Sequence, residues 1–203
     1  MTGDLPGLLA RLREHLPGRD LTCDLSDALS HRTQQGVSGA LPATFRPLWP
    51  DRPFAGVAVT ARTHGGDPGA VYRALDQAGP GSVLVVDGAG VHTALWGERT
   101  TLAAQARGVQ AAVIHGACRD VSAIRSLGFP VVSTGVTPGA APRGTQGATQ
   151  GPVSLGGVPV SPGDVLVGDA NGVVVLPASG AEDLLRTVLE GAARLSPSLP
   201  GTQ

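Results

Sequence analysis

The chain of 203 residues is 41% hydrophobic and only 15% charged, with a formal net charge of −1. That balance supports a buried core, and nothing in it asks for nucleic acid or an anionic membrane surface, both of which need a concentrated basic patch. All 15 basic residues are arginine, so a lysine Schiff base is excluded, and any carbon–carbon bond chemistry needs another electron sink such as a metal ion.

Residues 5–16, LPGLLARLREHL, set Leu8, Leu9, Leu12 and Leu16 on one helical face. The N-terminal stretch MTGDLPGLLARLREHLPG carries an early acid and no long apolar core, unlike a secretory signal, and no apolar run approaches the roughly 20 residues of a membrane span. A cytoplasmic protein is expected, with Cys23 and Cys118 as reduced thiols. In LTCDLSDALSH (21–31), Asp24 or Ser26 is the expected N-cap of a second short helix. Residues 34–54, rich in Gly and Pro, read as loop, and AGVAVTA (55–61) reads as a strand. DPGAVYRALDQAG (67–79) predicts a helix with Pro68 near its start and Gly79 at its end.

GSVLVVDG (81–88) is a continuous apolar run of the kind buried on both faces of a parallel sheet. After an expected turn, GERTTLAAQARG (97–108) predicts a helix closed by Gly108. AAVIHG then gives a strand, DVSAIRSLG a helix and PVVSTG (130–135) another strand. This alternation signals an α/β fold with parallel strands. A Gly/Pro/Thr loop (137–151) follows, then the short pieces VSLGG, VPV, DVLVGD and GVVVLP, which suggest antiparallel pairing, and a terminal helix at 178–195. With no repeat and no linker, the expectation is a single compact domain over 1–203.

Ligands of open α/β sheets sit at the carboxyl ends of the parallel strands. Two such ends carry charge: VLVVDGAGVHTALWGER (83–99) and AAVIHGACRD (111–120). Asp120 offers a carboxylate oxygen to a hard cation, and a magnesium-like ion takes only one or two protein carboxylates and keeps several waters. Arg119 presents a planar donor fork that cannot lose its proton, suited to a carboxylate or a developing oxyanion. Gly97 opens a helix whose first N–H groups, around Arg99 and Thr100, are free to hold an anion. Glu98 lies in the same turn. Together these groups would hold a 2-oxo acid, its carboxylate at the helix and its keto oxygen at the metal and Arg119.

Plainer readings exist at each position. Asp120 is well placed to cap DVSAI, and local sequence alone favours that role. Asp87 serves equally as a turn residue, His115 as a packed strand-end side chain, and Cys118 as a small buried residue. One HxxC pair is a weak zinc signal. The 135–151 loop lacks the lysine and spacing of a phosphate-binding loop.

VLVVDGAG, WGE, ARGVQAAVIHGACRDVSAIRSLGFPVVSTGVTP and VPVSPGDVLVGDANGVVVLP together resemble the regulator of ribonuclease activity A family. That family includes the class II 4-hydroxy-4-methyl-2-oxoglutarate/4-carboxy-4-hydroxy-2-oxoadipate aldolases. The resemblance covers about residues 21–177, leaving 1–20 as a helical extension and 178–195 as a C-terminal helix. It implies a swivelling β/β/α fold assembled as homotrimers or hexamers. The aldolase branch is marked by an acidic residue, twenty intervening positions, then Arg-Asp; here Glu98 precedes Arg119-Asp120, Glu standing for the more usual Asp.

By resemblance, Asp120 binds Mg²⁺ or Mn²⁺, Arg119 stabilises a pyruvate enolate, and Glu98 orders a water that serves in proton transfer. The amides just after Glu98 hold the pyruvyl carboxylate, which gives Gly97, Arg99, Thr100 and Arg119 as substrate contacts. Ala123 stands where the family often has an acid. An acid from a neighbouring subunit usually completes the site; Glu182, Asp183 and Glu190 are the candidates here.

The expected activity is metal-dependent cleavage of 4-hydroxy-2-oxo acids to pyruvate, with decarboxylation of oxaloacetate through the same enolate. The partner expected is a small 2-oxo acid, with neither nucleic acid nor membrane. The alternative is a non-catalytic regulator of a ribonuclease or helicase. Substrate choice is expected to rest beyond the pyruvyl pocket, in the 62–67 loop (Arg62, His64, Asp67) or across a subunit interface.

Overall fold

Apolar residues at period two divide the strands between two faces of one sheet, and that division sets the layers. The computed structural model describes residues 4–33 and 39–194. In chain order the elements are α1 (Leu5–His15), α2 (Leu21–Thr33), β1 (Arg46–Pro47), β2 (Phe54–Arg62), α3 (Gly69–Gln77), β3 (Ser82–Trp96), α4 (Glu98–Ala106), β4 (Ala111–Cys118), α5 (Val121–Ser126) and β5 (Val131–Val136). The last third adds β6 (Ala148–Thr149), β7 (Val153–Leu155), β8 (Val158–Val160), β9 (Val165–Asp169), β10 (Gly172–Leu176) and α6 (Ala181–Arg194).

The main sheet runs β1-β5-β4-β3-β2-β9-β10, with β6 on β2. Strands β2, β3, β4 and β5 are parallel neighbours, joined through α3, α4 and α5. Strands β9 and β10 extend the sheet antiparallel.

Leu84, Val86, Ala112 and Ile114 pack with Val71, Leu75, Ala104 and Ile124 of the three crossover helices. On the same side of the sheet, Ala55, Val165, Val167 and Val174 meet the leucines of α1, α2 and α6. The intervening residues Val83, Val85, Ala111 and Val113 point the other way, onto Leu155 and Val160 of the β7–β8 hairpin and onto Phe45. The order is therefore hairpin, sheet, helices: the β/β/α layering and the mixed α/β domain expected from the sequence. Fully burying each of the Val, Leu and Ile side chains among these contributes about 1.5–3 kcal/mol.

Several local expectations change. The expected loops 34–54 and 137–151 each carry a two-residue strand, β1 and β6, and residues 34–38 of the first lie outside the described residues. Helix α2 begins at Leu21, earlier than a cap at Asp24 or Ser26 allows. Its first turn is held by Asp169 of β9, which accepts from the Thr22 amide at 3.0 Å and the Thr22 hydroxyl at 2.8 Å. Strand β3 does not turn after Gly88 but runs on to Trp96, pairing irregularly with β4 through register shifts between Asp87 and Trp96. Ala89 (φ 50°) and Gly90 (φ 74°) absorb the first of these. Among the described residues no helix is long and apolar enough to cross a membrane.

Candidate active site

The irregular end of β3 builds the site. Trp96 is the register partner of Cys118, and the Arg119 amide donates to the Trp96 carbonyl at 2.9 Å. Two parallel strands ending level must place their next residues side by side. So Gly97-Glu98, at the start of α4, lies against Arg119-Asp120, although a helix and a strand separate them in sequence.

Asp120 occupies the cap position of α5, yet its side chain makes no capping bond there, which removes the local reading of this residue as an N-cap. Its backbone is left-handed (φ 58°, ψ 37°), a conformation uncommon outside glycine, asparagine and aspartate. The carboxylate turns instead to α4: Oδ2 accepts from the Glu98 amide at 3.1 Å and lies 3.5 Å from Arg119 Nε. Both contacts fall on Oδ2, so Oδ1 is the oxygen open to a ligand. Gly97 is extended (φ −167°), so its need for glycine is spatial: a Cβ would stand 2.6 Å from Asp120 Oδ2 and 3.2 Å from Arg119 Cγ.

The other hydrogen bonds of the turn are internal. The Gly97 amide donates to Thr100 Oγ1 at 2.9 Å, and the hydroxyls of Thr100 and Thr101 donate to the Gly97 carbonyl at 2.8 and 3.0 Å. Trp96 Nε1 donates to Thr101 Oγ1 at 2.8 Å. Gly97 and the Thr100 side chain thus serve the shape of the turn. The main-chain N–H groups of Arg99 and Thr100 belong to the first helical turn, where amides have no helical acceptor.

A cavity of about 350 Å³ opens here, lined by Trp96, Gly97, Arg99, Thr100, Arg119 and Asp120, by Pro68 and Tyr72 of the α3 region, and by Ala140–Gly144. The structure thus brings together Gly97, Arg99, Thr100, Arg119 and Asp120. Glu98 is exposed beside them and outside the lining.

Sequence reasoning passed over the wall formed by 140–144, having asked of that loop only whether it cradles phosphate. A signal for it lies in Asp67 and Arg73, which pin the loop. Asp67 Oδ2 accepts from the Gln146 amide at 2.9 Å and Oδ1 from the Gly69 amide at 2.7 Å. These two bonds, the Gln146 one foremost, hold the Asp67 carboxyl below the usual carboxylate range. Arg73 donates to the carbonyls of Thr145, Gln146 and Gly147. At its other end the loop is fastened by the Ala94 amide on the Gly139 carbonyl, 2.9 Å. Asp67 is therefore an anchor. Arg62 is likewise spent on structure, donating to the Pro152 carbonyl at 2.6 Å, while His64 lines a second cavity behind the loop.

His115 and Cys118 do not form a metal pair. Cys118 is fully buried beside Ser133, and burial pushes its thiol up. His115 lies tilted against Phe45, ring centroids 5.5 Å apart, with Asp87 at 3.6 Å. Among the described residues no three His, Cys, Asp or Glu side chains converge as a ligand cage. A lone carboxylate with an uncommitted oxygen does not suit zinc, which wants three or four N/S ligands; it does suit Mg²⁺ or Mn²⁺, which keep most of their waters. Of the acids considered as a neighbouring subunit's contribution, Asp183 pairs with Arg32 of α2 at 3.1 Å.

A protein of Halalkalibacterium halodurans, provisionally named a 4-hydroxy-4-methyl-2-oxoglutarate aldolase, is 38% identical over 166 residues, covering 81% of this chain and 76% of that one. The crystal structure of an uncharacterized protein from Pseudomonas syringae pv. tomato superposes with a TM-score of 0.80 at 31% identity, over 95% of this chain and 86% of the other. The RNA-processing inhibitor RraA from Thermus thermophilis superposes with a TM-score of 0.66 at 32% identity, over 75% and 92%. The sequence profile of one family, described as RraA-like (Aldolase/RraA), matches residues 22–175, the span that holds the whole α4–Arg119–Asp120 site and all of the sheet but the last residue of β10, and the chain belongs to that family.

Proposed function

We propose that the protein is a divalent-metal-dependent lyase that cleaves 4-hydroxy-2-oxo acids to pyruvate and also decarboxylates oxaloacetate. The observation that carries this reading is the Asp120 carboxylate, turned from its own helix to the first turn of α4, beside Arg119 in a lined cavity. Aldolase names among relatives more than a third identical point the same way.

In this reading Asp120 would hold Mg²⁺ or Mn²⁺, which would supply positive charge to polarise the keto group. The Arg99 and Thr100 amides receive the pyruvyl carboxylate, aided by the positive end of α4. Arg119 faces the keto oxygen and stabilises the negative charge that develops there. In the retro-aldol direction the C4 hydroxyl loses its proton, the C3–C4 bond breaks, and the electron pair passes into the enolate of pyruvate. A proton delivered to C3 completes pyruvate, and Glu98 handles these transfers through an ordered water. Loss of CO₂ from oxaloacetate gives the same enolate, so one site serves both reactions. The assembly proposed is a homotrimer or hexamer.

The test is pyruvate release from oxaloacetate and from a 4-hydroxy-2-oxo acid, above the background of metal alone, with Mg²⁺ or Mn²⁺ and again with EDTA. Turnover is expected only with metal, and Arg119→Ala and Asp120→Ala should each abolish it. Full activity in either variant overturns the assignment. The likeness to the Thermus inhibitor favours a second reading, a non-catalytic regulator of a ribonuclease or helicase. Inhibition of such a partner that persists in EDTA, with no turnover of either acid, would establish it instead.

A further inference from the structure

We propose that Arg143 is a specificity-determining residue that reads a second carboxylate on the substrate, at the end remote from the 2-oxo group. This rests on the reading above for the pyruvyl half and goes beyond it in naming the residue that selects the rest of the molecule.

The charge around the cavity is the first observation. Three guanidinium groups, Arg99, Arg119 and Arg143, line it against one carboxylate, Asp120. Arg119 has that carboxylate 3.5 Å away. Arg99 and Arg143 have no hydrogen-bond or ion-pair partner among the described residues, unlike Arg13, Arg32, Arg62, Arg73, Arg107 and Arg125, each of which is tied to a carbonyl or carboxylate. A divalent cation at Asp120 would add to the excess of positive charge. One pyruvyl carboxylate does not balance it; a substrate with a second carboxylate does. A guanidinium fork is the side chain best shaped for that group.

The second observation is that Arg143 is carried on a fixed support. Its loop is fastened before it by the Ala94–Gly139 hydrogen bond and after it by Asp67 and Arg73. Gly144 lies so close to Asp67 that a Cβ there would overlap the carboxylate, and a Cβ at Gly69 would stand 2.5 Å from Thr145 Cα. Two anchors and two close approaches are more than an idle surface loop needs. They hold the segment that carries Arg143 in the wall of the cavity that the start of α4 also lines, so an extended 2-oxo acid with its carboxylate at the Arg99 and Thr100 amides would have its far end to offer to that wall.

The experiment measures binding, by calorimetry with Mg²⁺ present, of two unreactive acids of equal chain length: 2-oxoglutarate, which has a distal carboxylate, and 2-oxopentanoate, which has a methyl group there. The wild-type protein is expected to favour 2-oxoglutarate by about tenfold or more. In Arg143→Gln that ratio should fall to near one while the affinity for 2-oxopentanoate is kept; Arg143→Lys should restore part of it. Equal affinities in the wild type, an unchanged ratio in Arg143→Gln, or no binding of either acid overturns the proposal. Deuterium exchange into the methyl group of pyruvate reports the pyruvyl half separately. Exchange without the ratio refutes Arg143 alone, whereas the ratio without exchange refutes the lyase and leaves Arg143 standing.

Discussion

Two helices in this molecule have their first turn held by an aspartate from another element, and the two aspartates differ in how completely they are used. At α2, Asp169 is buried and engaged through both oxygens: Oδ2 accepts from the Thr22 amide, and Oδ1 from the Thr22 hydroxyl and, at 2.9 Å, the Asn171 amide. At α4, Asp120 is 38% exposed at its side chain, and both its contacts fall on one oxygen. The same device thus serves two ends. A buried carboxylate with both oxygens engaged by its own chain is structure; one left half-used at the mouth of a cavity is available for chemistry.

The largest effects should separate these two residues. Asp120→Ala should lower metal-dependent pyruvate formation by at least about 10²-fold, with little change in thermal unfolding, because the group it abandons is near solvent. Asp169→Ala should do the reverse. It leaves the Thr22 amide and hydroxyl without an acceptor in a buried setting, at about 2–4 kcal/mol, or roughly 5–15 °C in Tm for a chain of this size. Turnover per folded molecule should be preserved. Parallel thermal melts and initial rates test the contrast, and it breaks if Asp120→Ala proves the more destabilising of the two.

A smaller effect sharpens it. Gly97→Ala adds one methyl group 2.6 Å from Asp120 Oδ2, at a residue whose extended backbone any side chain tolerates. The carboxylate must shift by some tenths of an ångström, and catalytic groups are sensitive to displacements of that size. Activity should drop by about tenfold or more while stability changes by no more than about 1 kcal/mol. If the variant loses stability and keeps its rate, Gly97 serves the turn and not the carboxylate.

These residues also mark what a sequence discloses. The core of the sheet was legible because VLVV and AAVI alternate between two buried faces, a pattern every parallel strand repeats. The pairing of Arg119-Asp120 with the start of α4 was legible as a motif, though its cause is topological: β3 and β4 end level at Trp96 and Cys118. Three features were not legible. The cap of α2 comes from a residue 147 positions away, so Asp24 and Ser26 looked like better candidates than they are. The stretch after Asp87, with two glycines and a histidine, has the composition of a turn, and long-range pairing, chiefly with β4, holds it as a strand. Arg143 sits in a segment whose composition signals flexibility, and it is fixed by contacts distant in sequence: side chains of the α3 region and the Ala94–Gly139 bond.

The smallest expected effect concerns that anchoring and its pH dependence. Asp67 accepts from the Gln146 and Gly69 amides, which together hold its carboxyl below the ordinary value against the opposing effect of burial. A carboxyl group with a depressed folded-state pKa contributes stability that is fully present above its unfolded value, near pH 4. That contribution is lost as pH falls through the lower folded value. Between pH 5 and 8 the anchor should therefore be constant, and any pH dependence of turnover there belongs to other groups. Following the Gln146 amide resonance by NMR through an acid titration should show a midpoint below about pH 3.9, and the transition should vanish in Asp67→Asn. That variant keeps one acceptor for the two amides and turns an NH₂ group toward the other, so the loop carrying Arg143 should loosen at every pH, with a raised KM for any substrate Arg143 recognises and an unchanged kcat. A Gln146 midpoint at or above the ordinary value would mean that the two amides do not hold the carboxylate in solution, and the loop would then owe its position to Arg73 and the Ala94–Gly139 bond.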